Sequence, residues 1–141
     1  VTTAPKAAFV PEGDAADATI LSAYTISATI WLLITTAVGL LVSFKYSYAD
    51  LWSSPWLSFG RLRAIHTNGT FYAWASIALA GVALWVGARS SGVNIARRNL
   101  AWAGLWCFNL AALAGTVTLD LGMNDGNQEY REWVCRSASS S

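Results

Sequence analysis

Three long apolar stretches, separated by short polar ones, dominate the chain. The first runs from about residue 19 to 44 and contains no charge. The second spans about 58–88 and the third about 99–121. An α-helix needs roughly 20 predominantly apolar residues to cross the hydrocarbon core of a bilayer, and each stretch meets that length. The first is long enough to cross with some tilt. The pattern predicts an all-α membrane protein with three transmembrane helices over residues 19–121. A polar segment, 1–18, precedes them, and an external acidic turn with a serine tail, 122–141, follows.

Local signals refine the three spans. Pro55, with Trp52 and Trp56 around it, limits how early the second helix can start, and tryptophans favour the membrane–water interface. The first half of span one carries Ser22, Tyr24, Thr25, Ser27 and Thr29. Such hydroxyls are expected to bond carbonyls of their own helix rather than to form a proton path. Span three has Gly104, Ala111, Ala112 and Gly115, small residues that allow close helix contact.

Composition agrees with a membrane protein: 55% of the residues are hydrophobic and only 12% charged. The formal charge of +1 gives no reason to expect a nucleic-acid partner. Cys107 and Cys135 form neither a CxxC pair nor a zinc-ligand spacing. The stretch from Arg89 to Arg98 holds three arginines and no acid, so the positive-inside rule places it in the cytoplasm. The N-terminus then lies inside and the C-terminal segment outside. Lys45, Arg61 and Arg63 fall on the opposite side and vote against this orientation.

The one histidine of the chain, His66, lies inside span two. An ionisable group there is costly and calls for a functional reason. A neutral imidazole can ligate a metal, and two guanidiniums a turn away can hold carboxylates. Haem offers an iron and two propionates to such a set, His66 with Arg61 and Arg63. On the same helical face fall Gly69, Thr70, Ala73, Trp74, Ile77 and Gly81, whose small members leave room for a flat macrocycle. Two plainer readings stand beside this one. His66 could hydrogen-bond a neighbouring helix, and basic residues at a helix end can snorkel to headgroups.

After span three, the segment Asp120–Trp133 gathers carboxylates among glycines and asparagines. It does not fit an EF-hand loop, because Leu121 and Met123 would occupy ligand positions. It reads as a solvated polar loop or as part of a site for a hard cation.

The run Phe59-Gly-Arg-Leu-Arg-Ala-Ile-His-Thr-Asn68 resembles the second transmembrane helix of the catalytic subunit of haem–copper oxidases. The likeness is to the branch that contains cbb3-type cytochrome c oxidases and nitric oxide reductases. Glu129-Tyr-Arg-Glu-Trp133 resembles the turn after helix three in that branch, and the two motifs come in matching order. The resemblance covers about Thr19 to Trp133, and only the first quarter or so of such a subunit.

Several expectations follow from the resemblance. His66 would be one of two axial ligands of the low-spin b haem. Arg61 and Arg63 would sit at its propionates. Glu132 or Glu129 would help hold calcium. The second axial ligand, the copper or non-haem iron ligands and the high-spin haem ligand would come from the remaining part of the catalytic subunit. The complete enzyme would take electrons from a c-type cytochrome, reduce oxygen to water and translocate protons in a bacterial inner membrane. The runner-up is a nitric oxide reductase large subunit; a non-catalytic three-helix membrane protein is the third reading. The absent initiator Met and the polar tail after Trp133, where the family continues into a fourth helix, lead to the expectation of a fragment or split subunit.

Overall fold

A computed structural model describes residues 14–48, 52 and 54–121. The elements are α1 (Asp14–Ser47), a 3-10 turn (Pro55–Leu57), α2 (Phe59–Asn68), a π-helical segment (Gly69–Ala75), α3 (Ser76–Ser91) and α4 (Arg98–Asp120). α2, the π segment and α3 follow one another without a break, as one helix from Phe59 to Ser91. Three helices are therefore long and apolar enough to cross a membrane, and no strand occurs among the described residues. The expected all-α, three-span fold is the one observed.

α1 is the central element: it packs along the whole second helix and against α4. Its buried positions Asp17, Ile20, Tyr24, Ala28, Trp31 and Thr35 recur every three or four residues, so they form one stripe. Ile20, Tyr24, Ala28 and Trp31 meet Ala73 and Ile77 of the second helix and Ala101 and Leu105 of α4 in the main core. A smaller cluster of Ala64, Ile65 and Leu119, backed by Val38, lies beside the His66 turn. Large apolar side chains elsewhere, including Leu33, Leu79, Trp85 and Leu110, point outward. Lipid tails are as apolar as leucine, so close packing and hydrogen bonds must hold such a bundle together.

Those hydrogen bonds are specific. Thr25 and Thr29 donate to carbonyls four residues back, as the sequence leads one to expect, and Thr19 does the same. Tyr24 and Ser27 do not. The Tyr24 hydroxyl donates to the Ala101 carbonyl (2.7 Å). Ser27 Oγ and Trp31 Nε1 both donate to Asn109 Oδ1, at 2.9 and 3.0 Å. Part of the hydroxyl stripe thus joins α1 to α4. Among the described residues no buried side-chain nitrogen or oxygen lacks a partner.

Each end of the α1 stripe carries a buried charge. Asp17 accepts from the Ile95 backbone N–H and from Arg98 Nε, both at 2.9 Å. This contact gives α1 a reason to start at Asp14, ahead of its apolar stretch. Lys45, at the opposite end, is buried and donates to the Trp52 carbonyl at 3.1 Å. The second helix ends at Gly92, whose left-handed φ of 67° closes it. At its other end Pro55 is held in the short 3-10 turn, and the α-helix begins only at Phe59.

Candidate functional site

His66 lies in the last turn of α2 and is half-buried. Its Nδ1 is 2.8 Å from the backbone carbonyl of Thr35 in α1. A carbonyl can only accept, so Nδ1 carries the proton and donates. In the neutral form of the ring the lone pair then lies on Nε2, and no described residue bonds that nitrogen. Thr35 itself is buried, with its hydroxyl donating to Leu32 in its own helix.

The helix around His66 is irregular on one side only. Thr70 Oγ1 donates to the His66 carbonyl and Asn68 Nδ2 to the Ala64 carbonyl. The wider π segment begins at Gly69, three residues after His66. At its far end Ser76 Oγ donates back to the Phe71 carbonyl. Such widened turns are frequent at functional sites.

The two arginines part company. Arg63 is three residues before His66 and falls within about 60° of it around the helix. Arg61 is five residues away, roughly 140° around. Its guanidinium lies 5.4 Å from the centre of the Trp56 ring, a cation–π distance. Glu129, Glu132 and Cys135 lie outside the described residues. Among the described residues no group of three or more His, Cys, Asp or Glu could hold a metal ion.

One expectation needs correcting. The face with Gly69, Ala73 and Ile77 offers no room for a macrocycle, because α1 occupies it. Gly69 lies against the Thr35 methyl, and Ala73 and Ile77 are core residues. The small residues there serve helix contact. Sequence reading also overlooked Thr35 and Gly39, which meet His66 from α1. Gly39 is the one glycine in α1, and that was the available signal.

Residues 19–136 match the family described as Cytochrome C and Quinol oxidase polypeptide I. The chain belongs to this family. Within this oxidase family it is 30% identical over 110 residues to a cytochrome c oxidase subunit 1 homolog of Agrobacterium tumefaciens (strain T37), covering 77% of this chain and 20% of the relative. It is 26% identical over 114 residues to the cbb3-type cytochrome c oxidase subunit CcoN1 of Stutzerimonas stutzeri, covering 80% and 24%. It is 27% identical over 117 residues to a cytochrome c oxidase subunit 1 of Rhodobacter capsulatus, covering 80% and 22%. The chain thus spans between a fifth and a quarter of the length of these oxidase subunits.

Proposed function

We propose that the chain is the first part of the catalytic subunit of a bacterial respiratory terminal oxidase of the cbb3 branch, and that His66 is one of two axial ligands of its low-spin b haem. The observation that carries this reading is the imidazole geometry. Nδ1 is committed to the Thr35 carbonyl and Nε2 is left for a metal. This is the arrangement that orients a metal-binding histidine and raises its basicity. The donor chemistry, a hydrogen-bonded Nδ1 with the lone pair on Nε2, is that of one ligand to a haem iron. Six-coordinate haem, when bound, supplies one-electron transfer.

His66 would hold the haem iron, and the other protein ligand would come from the rest of the subunit. Arg63, on the His66 side of the helix, is the better placed partner for a propionate; Arg61 would reach one only by leaving Trp56. Glu132 or Glu129 would offer carboxylate oxygens to a calcium ion next to the propionates. Copper and the high-spin haem belong to the complete subunit, where electrons from a c-type cytochrome reduce oxygen. The family match and the oxidase names of the relatives support this assignment over nitric oxide reduction.

The membrane is the bacterial inner membrane, with the N-terminus in the cytoplasm. In support, two of the basic groups that oppose this orientation are engaged: Lys45 is buried on Trp52 and Arg61 stacks on Trp56. Arg89 in the last turn of α3 and Arg97 in the α3–α4 connection are exposed, as headgroup-facing residues would be.

The test is a reduced-minus-oxidised spectrum of the chain produced together with the remainder of such a subunit. A b-type band that disappears in His66→Ala is expected. Absence of any b-haem signal in the unmutated protein overturns the haem role. The chain alone is expected to retain little haem and to consume no oxygen. One observation favours a second reading, a non-catalytic helix bundle: the His66–Thr35 bond is also what a purely structural histidine would make. The same spectrum separates the two.

A further inference from the structure

We propose that Gly39 is a positioning residue for His66. By leaving α1 bare at one point, it opens the Thr35 carbonyl to the imidazole. It thereby fixes which ring nitrogen carries the proton and which keeps the lone pair.

In a regular helix the carbonyl of residue 35 already accepts the backbone N–H of residue 39. A second donor must approach that carbonyl past the side chain of residue 39. In α1 that side chain is missing, and the imidazole fills its place. A Cβ at position 39 would stand 2.6 Å from His66 Cε1, 2.8 Å from Nδ1 and 3.1 Å from Nε2. Real Cβ contacts are essentially never that close to Cε1 or Nδ1, so with any side chain at 39 something must shift, and the imidazole, as the far end of a side chain, is the part that moves most cheaply.

The opposite helix carries a matching gap. A Cβ on Gly69 would stand 2.5 Å from Thr35 Cγ2. Thr35 is thus held from two directions: its methyl rests on Gly69 of the second helix, and its carbonyl receives the His66 ring. It is 2% exposed. Two glycines on facing helices set the distance between Thr35 and His66, and that distance makes the 2.8 Å hydrogen bond.

Gly39 therefore acts through His66. With the carbonyl accepting, Nδ1 bears the proton and the lone pair is confined to Nε2. Hydrogen bonding of this kind also makes the ring a more basic ligand. The tautomer belongs to the chain without any cofactor. Its consequence for a bound haem rests on the reading of His66 as an axial ligand.

The experiment is nitrogen NMR on the 141-residue chain, labelled at histidine and reconstituted in lipid nanodiscs. One histidine gives one imidazole signal pair, so no assignment is needed. The expected result, read at a pH where the ring is neutral, is a proton on Nδ1. Gly39→Ala moves the proton to Nε2 or gives a mixture. Gly87→Ala, where a Cβ meets nothing within 4 Å, and Thr35→Val, which keeps the carbonyl, leave the tautomer unchanged. A wild-type ring protonated at Nε2 overturns the proposal, and that result needs no variant. A Gly39→Ala ring still protonated at Nδ1 overturns it too. In the assembled enzyme, Gly39→Ala is expected to raise the b-haem midpoint potential and to weaken haem retention roughly 10- to 100-fold. An Nδ1 proton in a protein without b haem leaves this assignment standing and removes the haem reading. An Nε2 proton in a protein with b haem does the reverse.

Discussion

Asp17, one turn into α1, holds Arg98 at the start of α4 through a 2.9 Å contact between Oδ1 and Nε. The other carboxylate oxygen takes the Ile95 N–H. One side chain thereby ties the first helix to the connection between the second and third. Asp17→Ala strands both donors, whereas Asp17→Asn keeps an acceptor for one of them. We expect both to destabilise the chain, Ala more than Asn, by about 1–3 kcal/mol for the loss of charged hydrogen bonds. Denaturation of the bundle in mixed detergent micelles, followed by circular dichroism, measures this. Equal stability of all three proteins would mean that the contact contributes nothing.

The contact between Gly69 and Thr35 gives a prediction with its own rescue. Gly69→Ala drives a methyl into Thr35 Cγ2 and should cost about 1–3 kcal/mol, as overpacking does. Thr35→Ser removes that methyl group and makes room. The double variant should therefore recover most of the loss. A double-mutant cycle in the same detergent assay reads the coupling, and additive losses would show that the two residues do not press on each other.

Asn109 is the one acceptor shared by Ser27 and Trp31 across the α1–α4 seam. Asn109→Leu leaves both donors without it. Interhelical hydrogen bonds inside membranes contribute on the order of 0.6–2 kcal/mol, so a loss of about 1–2 kcal/mol is expected. Trp31→Phe in the Asn109→Leu background should cost less than in the wild type, because the indole N–H has already lost its partner. Unfolding midpoints of the four proteins decide it.

The unequal placement of the two arginines is testable in an assembled oxidase. Arg63→Gln removes a positive charge on the His66 side of the helix, which favours the ferric state. It should lower the b-haem midpoint potential. Arg61→Gln should shift it less, since that guanidinium rests on Trp56. A redox titration followed in the visible spectrum gives both values. A larger shift for Arg61→Gln would reverse the assignment of the propionate partner.

The three helices were legible because a bilayer imposes one length on every apolar crossing. The bounds moved by a few residues, for reasons the apolar pattern does not carry. Asp17 extends α1 because of Arg98, 81 positions away, and Gly92 decides where the second helix ends. His66 stood out as a lone imidazole in an apolar run. Its partner could not be read, because a backbone carbonyl has no letter in a sequence. The gap that exposes this carbonyl did have one, Gly39, but a single glycine in a long helix carries no direction until the facing helix is placed. The face of Gly69, Ala73 and Ile77 was misread for the same reason: small residues do not say whether a cofactor or another helix fills the space.

The two charges that bound the buried stripe of α1 turn this helix into a depth gauge. Asp17 and Lys45 are 28 positions apart. At about 1.5 Å per residue that is roughly 42 Å, more than a hydrocarbon layer of about 30 Å and close to a full bilayer with headgroups of about 40–45 Å. Sliding the helix by a turn in either direction would drag one of the charges towards oil. Thr35 is ten positions short of Lys45, about 15 Å along the axis. The altitude of the imidazole is therefore registered against the Lys45 leaflet by α1, before any other part of the assembly touches it.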